Sequence, residues 1–189
     1  MGSIGKIGGY CCVYDVIDTY QTIWDRGVFF GAEQSVESGI KMPMFYAHNT
    51  QGRVPVGGCS VLRSDDVGLY FEGDIYDNDV GYTLLQAVAD GTVTGTSFTF
   101  RSLEEYSRGI GDKKIVHFKR AEMREISPVV WPGIRETTCE VLECERLEIA
   151  RECSAERLNA FRATVIDRQV QTRAALEMIT TLNEELKHG

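Results

Sequence analysis

The distribution of glycine and proline divides this chain into two parts with different folding options. Neither residue occurs between positions 146 and 188, whereas both punctuate residues 1–145. Because glycine and proline both stop helices, their absence favours a long helix. Apolar residues recur there at alternating three- and four-residue steps, which predicts one helix of about 30 residues with an imperfect heptad pattern. The apolar positions are Leu158, Phe161, Val165, Ala175, Ile179, Leu182 and Leu186.

Residues 1–145 have the pattern of a succession of short strands. Seven segments are rich in β-branched and aromatic residues and are bounded by glycine, proline or polar turn residues. They are residues 7–17, 23–30, 42–48, 54–62, 69–75, 94–101 and 115–131. One amphipathic helix is predicted over residues 79–90, where Gly91 ends it. We therefore expect an α+β fold with a mainly antiparallel β-barrel core of about seven strands, a crossing helix and a long C-terminal helix.

The same contrast predicts two domains. Residues 146–189 contain seven basic and seven acidic side chains, so the net charge of −8 belongs entirely to residues 1–145. We expect residues 1–145 to form the β-domain and residues 146–189 to form a helical tail. The apolar stripe of that tail needs a partner, and either its own domain or another protein chain satisfies this requirement.

Composition and charge argue against several classes of function. A net charge of −8 without a basic tract is atypical of a nucleic-acid-binding protein. No apolar run is long enough to span a membrane, and no signal peptide is evident. The cysteines lack C-x-x-C spacing, so we expect reduced thiols in a cytosolic compartment, no metal site and no cofactor. These cysteines are Cys11, Cys12, Cys59, Cys139, Cys144 and Cys153.

The segment Thr94–Arg101 carries a candidate nucleophile, Ser97, among small neighbours that allow a substrate backbone to approach closely. A serine hydroxyl needs a base within hydrogen-bond reach and a third group that orients the base. His48 is the only histidine before Ser97, and it ends an apolar segment at a turn. Taken alone, His48 is as compatible with capping that turn, and Ser97 with a structural role in a strand.

Two residues on the segment 115–131 are candidates for the orienting group. Glu125 has apolar neighbours, and a carboxylate in such a setting needs a partner, since its unpaired burial is costly. His117 is surrounded by lysine and arginine, which is typical of a solvated position. In a regular strand the two would lie about 26 Å apart, so at most one can contact His48. We favour Glu125 and keep His117 as the alternative.

The order of these motifs resembles that of the prohead maturation proteases of tailed bacteriophages, which are related in fold to the herpesvirus assemblins. The resemblance rests on Ala-His-Asn at 47–49, Gly-Thr-Ser-Phe-Thr-Phe at 95–100 and Arg-Glu-Ile-Ser-Pro-Val-Val-Trp-Pro at 124–132. It implies a serine endopeptidase with Ser97 as nucleophile, His48 as general base and Glu125 at the acidic position. Assemblins use a second histidine as third member, which keeps His117 as the alternative.

The resemblance also implies partners and a location. The substrates would be the major capsid protein and its scaffold segment, cleaved inside the prohead in the host cytoplasm, and the protease would also cleave itself. We expect a homodimer that binds neither nucleic acid nor membrane. Two other classes remain open from the residues alone: a non-enzymatic capsid assembly or scaffolding module that acts through its long helix, and a β-barrel that binds a small ligand.

Overall fold

The chain forms one eight-stranded sheet and three helices in the residues that the computed structural model describes, which are 2–51, 53–110, 113–144 and 151–188. The strands are β1 (Ser3–Val13), β2 (Thr22–Trp24), β3 (Met42–Met44), β4 (Gly57–Ser64), β5 (Gly68–Tyr76), β6 (Gly95–Ile110), β7 (Lys113–Val129) and β8 (Glu140–Cys144). The helices are α1 (Phe30–Glu37), α2 (Asp79–Ala89) and α3 (Arg151–His188). The predicted α+β class and its mainly antiparallel sheet are therefore confirmed.

Three other strands pair with the long strand β7. β6 pairs with β7 antiparallel along one side, while β2 and β3 pair with its other side in parallel. From β3 the sheet continues through β4, β5 and β1 to β8, and these pairs are antiparallel. The predicted strand at residues 115–131 thus lies almost entirely within the single strand β7.

The predicted closed barrel is wrong, because the sheet is open and mixed. Among the described residues, β8 is one end of the sheet, β2 and β6 are edge strands beside β7 at the other end, and β6 does not pair with β8. An irregular segment lies between β7 and β8, where Pro132 cannot donate a backbone hydrogen bond. Isolated backbone and side-chain hydrogen bonds connect this region. Thr138 N donates to the Tyr10 carbonyl at 3.0 Å and Cys139 N to the Thr94 carbonyl at 2.8 Å, while Thr138 Oγ1 accepts from Tyr10 N at 2.9 Å. The two edges therefore come close without a β-ladder between them.

Helix α2 begins and ends where its capping residues predict. The Asn78 side chain accepts a hydrogen bond from Gly81 N at 2.8 Å, which satisfies one free amide of the first turn. Gly91, just beyond the helix, has φ of 80° and so adopts the left-handed conformation that stops a helix. The helix therefore directs the chain into β6, which begins at Gly95 and carries Ser97.

An aromatic cluster supports the strand of Ser97 from the opposite face of the sheet. Side chains alternate along β6, so Phe98 and Phe100 point away from the face of Ser97 and pack edge-on against Trp24. Trp24 also stacks on Phe118 of β7, with ring centroids 4.5 Å apart. This packing holds β6 and β7 as one rigid unit beneath the serine.

The middle of α3 packs against the β-domain. Val165 and Gln169 are buried, and the Gln169 amide donates to the carbonyl oxygens of Tyr14 at 2.7 Å and Val67 at 2.8 Å. Arg162 pairs with Asp65 at 2.8 Å. The predicted helix is confirmed over residues 151–188. The proposed domain boundary at 145–146, like the side chains of Leu158, Leu182 and Leu186, lies outside the described residues.

Replacing Gln169 with alanine is expected to lower the free energy of unfolding by about 1–3 kcal/mol, because the carbonyl oxygens of Tyr14 and Val67 each lose the Gln169 donor and Val67 keeps only the bond from Tyr14 N. Urea denaturation followed by circular dichroism measures this change. Gln171→Ala is the matched control, since Gln171 is exposed and bonds only within its own helix. Equal midpoints for both variants would show that the α3 contact does not stabilise the β-domain.

The described helices include none that is both long and apolar enough to cross a membrane.

Candidate active site

Strand β7 presents Glu125 and Ser127 on one face, because residues two apart on a strand point the same way. Glu125 is only 2% exposed, as expected for a carboxylate that the fold has paired. The Ser127 hydroxyl donates to Glu125 Oε2 at 2.5 Å. This short charge-assisted bond orients the carboxylate on the strand.

His48 reaches the same face from the other side of β7. The chain leaves β3 alongside β7, with Phe45 N donating to the Ile126 carbonyl and Ala47 N to the Pro128 carbonyl, both at 3.1 Å. Ala47 and His48 then adopt positive φ values of 51° and 58°. Two consecutive non-glycine residues in this left-handed region are strained, and such strain often marks a functional turn. The turn directs the imidazole back across β7.

His48, Glu125 and Ser127 form a closed hydrogen-bond network. His48 Nδ1 lies 2.7 Å from Glu125 Oε1, and His48 N donates to Ser127 Oγ at 3.1 Å. Since Ser127 Oγ accepts from that amide, its own proton is directed to Glu125. With the carboxylate ionised, Nδ1 is the protonated ring nitrogen, so Nε2 carries the free lone pair. The His48 side chain is 36% exposed, which leaves its ring accessible to a substrate.

Ser97 lies on the neighbouring strand, opposite Ser127 in the β6–β7 ladder. Residues directly opposite each other point to the same face with Cβ atoms about 5 Å apart, so Ser97 shares the face of Glu125 and His48. The Ser97 hydroxyl makes no hydrogen bond to His48 among the contacts of the described residues. The structure thus brings His48 and Glu125 into contact and places Ser97 beside them.

His117, the alternative third member, lies elsewhere on β7. Its Nδ1 is 3.2 Å from Asp25 Oδ1, and its ring stacks on Tyr106 with centroids 4.6 Å apart. It is buried at 4% exposure, so the expected solvated position is wrong. His117 precedes Glu125 by eight residues on the same strand, which separates them by about 26 Å. Glu125, and not His117, contacts His48.

Ser127 is a site residue that the sequence reasoning missed. Ser127 belongs to the motif at 124–132, where Glu-x-Ser on a strand places both side chains on one face. That spacing was the available signal. This signal is weak, because a serine beside a proline is more often a turn residue. Only the register between β6 and β7 places Ser127 between Ser97 and His48.

The buried cysteines do not offer a competing nucleophile. Burial raises the pKa of Cys59 to about 12 and raises the pKa of Cys11, Cys12 and Cys139 as well. Thiols with raised pKa values stay protonated at neutral pH and are inert. Within the described ranges, no group of three or more His, Cys, Asp or Glu residues is arranged to hold a metal ion.

A comparison with protein families decides the class of this chain. A family model described as Caudovirus prohead serine protease matches residues 2–151. The chain belongs to this family. It is a serine protease of capsid maturation that acts inside the viral prohead, with capsid or scaffold proteins as its substrates. The resemblance seen in the sequence motifs is confirmed, and the two non-enzymatic alternatives are set aside.

Solved protease structures are similar to this prohead protease at low sequence identity. The bacteriophage T4 capsid assembly protease gp21 is 13% identical with a TM-score of 0.50, covering 67% of this chain and 82% of its own. The Kaposi's sarcoma-associated herpesvirus protease with a hexapeptide phosphonate inhibitor is 14% identical with a TM-score of 0.46, covering 88% and 76%. The varicella-zoster virus protease is 12% identical with a TM-score of 0.42, covering 95% and 89%. No curated protein matches the chain.

Proposed function

We propose that Ser97, His48 and Glu125 are the catalytic triad of this prohead protease. The observation that carries the proposal is the 2.7 Å contact between His48 Nδ1 and Glu125 Oε1, made by a carboxylate that is itself held by Ser127. A base whose tautomer is set by a buried acid, next to a serine on the same sheet face, has the arrangement that acyl transfer requires.

The reaction proceeds through an acyl-enzyme. His48 Nε2 takes the hydroxyl proton as Ser97 Oγ attacks the peptide carbonyl, and Glu125 stabilises the imidazolium that forms. His48 then gives the proton to the leaving amine, and a water molecule hydrolyses the ester by the same route. Ser97 and His48 close their hydrogen bond when substrate binds, since such contacts are often long in a free enzyme.

The family function also fits a specific assembly. The substrates are the major capsid protein and its scaffold segment, and the protease cleaves itself as well, within proheads in the host cytoplasm. The protease acts as a homodimer and binds neither nucleic acid nor membrane. Residues 1–145 form the catalytic domain, and residues 146–189 form a tail for docking, self-association or removal by self-cleavage. Among the side chains of α3 that the structure describes, the polar contacts with the β-domain fall within residues 162–173, so residues 174–181 form the described segment that is available to a partner.

Covalent labelling tests the triad directly. A fluorophosphonate probe reacts with a serine only when a neighbouring base activates it. We expect mass spectrometry to find the probe on Ser97 in the wild-type chain and to find labelling at least about 100-fold slower in His48→Ala, because general-base catalysis contributes about that much. Labelling of a different serine, or equal rates in both proteins, would contradict the proposed site.

A further inference from the structure

Two large aromatic side chains project into solvent near the proposed site. Trp131 is 90% exposed and Tyr20 is 77% exposed. They come from distant parts of the sequence, but Thr19 joins their loops by donating both N and Oγ1 to the Gly133 carbonyl, each at 3.0 Å. The same contact brings the Tyr20 ring so near Gly133 that a Cβ on that glycine would lie 2.6 Å from Tyr20 Cε2. We call Tyr20 and Trp131 the aromatic ledge.

The loop that carries Tyr20 is held in one conformation by a buried carboxylate. Asp18 Oδ1 accepts from Tyr20 N at 2.8 Å and from Thr22 N at 2.9 Å. Asp18 Oδ2 accepts from Thr22 Oγ1 at 2.5 Å and from Trp24 Nε1 at 3.3 Å. Four hydrogen bonds to one buried side chain fix the loop firmly. The side chain that this loop presents to solvent is a tyrosine ring rather than a polar group.

Pro132 and Gly133, which join the two parts of the ledge, lie against the face of the sheet that carries Ser97. Gly95 precedes Ser97 by two residues on β6, so a Cβ at either position points to the same face. A Cβ placed on Gly95 would lie 2.7 Å from Pro132 Cγ. Pro132 therefore covers the sheet next to Ser97, and Trp131 adjoins it. Two residues of strand span about 7 Å, which places the ledge within reach of a peptide bound at Ser97.

We infer that the aromatic ledge is a specificity subsite that binds an apolar side chain of the capsid or scaffold segment, within a few residues of the cleaved bond. The inference rests on the proposed function, since it takes Ser97 as the point of attack. Exposed aromatic rings on fixed loops lose little conformational entropy when they bind a ligand, and they bury a large apolar area. An extended substrate advances about 3.3 Å per residue, so side chains two or three positions from Ser97 meet the ledge.

Substrate discrimination tests the ledge. The bond cleaved in the cognate capsid protein is first mapped by mass spectrometry, and peptides spanning it are made with each apolar flanking residue changed to alanine. We expect the wild-type kcat/KM to fall about 10- to 200-fold at one of these positions. In Trp131→Ala and Tyr20→Ala, the same peptide pair is expected to differ by less than about threefold, because the side chain no longer gains the aromatic contact.

The matched control is Phe30→Ala, which removes an exposed aromatic ring from α1. It is expected to keep the wild-type discrimination. Unchanged discrimination in both ledge variants, or a cleaved segment without apolar residues near the bond, would overturn the inference. Labelling of Ser97 by the fluorophosphonate probe separates this result from failure of the triad. A wild-type chain that is not labelled at Ser97 contradicts the proposed function, whereas labelled ledge variants with wild-type discrimination contradict only the subsite.

Discussion

Ser97→Ala is expected to abolish cleavage of the cognate capsid protein, with kcat reduced about 10⁵-fold or more. In the proposed triad, the variant removes the oxygen that forms the acyl-enzyme, and neither His48 nor Glu125 can replace it. Co-expression with the capsid protein, followed by gel electrophoresis and mass spectrometry of the capsid chain, measures the loss. The fold is expected to persist, because the aromatic packing around Trp24 lies on the opposite face of β6.

Ser107→Ala provides the control for this experiment, since Ser107 is an exposed serine on the same strand. It is expected to process the capsid protein as the wild-type chain does. Normal processing by Ser97→Ala would exclude Ser97 as the nucleophile. Loss of processing in both variants would instead point to a general requirement for β6.

Glu125→Gln is expected to reduce kcat by about 10³- to 10⁴-fold while leaving KM nearly unchanged. The glutamine amide keeps the shape of the side chain but can donate a proton to His48 Nδ1. That bond favours the tautomer with its proton on Nε2, where the base must be free to accept the proton of Ser97. Steady-state kinetics on a peptide that spans the cleaved bond measures the two constants separately.

Glu122→Gln is the matched control, because Glu122 lies on the same strand but is exposed and pairs with Arg101. It is expected to retain activity. A Glu125→Gln enzyme within threefold of the wild-type kcat would remove Glu125 from the triad. Circular dichroism of both variants checks the fold, since Ser127 also depends on the Glu125 carboxylate.

The parts of this fold that could be predicted depend on patterns within short windows of sequence. The cap at Asn78 and the stop at Gly91 place α2 within a residue of its predicted bounds. The absence of glycine and proline predicts α3. The weak predictions were the short elements: β8 was missed, and β2 is three residues long where eight were expected. A short strand has little periodicity of its own and exists because its neighbours pair with it.

The closed barrel was predicted wrongly for a related reason. Counting strands does not determine whether the first and last of them meet, because closure depends on tilt and stagger across the whole sheet. Here the segment that contains Pro132 lies where a ladder would have to continue. It is joined to β6 and β1 by threonine side chains and by isolated backbone bonds, and no β-ladder forms there.

The sequence by itself determined the chemical groups of the candidate site and their order: His48 after an apolar segment, Ser97 on a strand after a helix, and Glu125 in apolar surroundings. Tertiary structure decided which groups meet. His48 and Glu125 are 77 residues apart in sequence, and a register change of one residue in β7 would turn Glu125 to the other face. The same register lets Ser127 bond to both His48 and Glu125, and it places His117 beside Asp25. Contacts of this kind arise from pairing between distant strands, which no local pattern specifies.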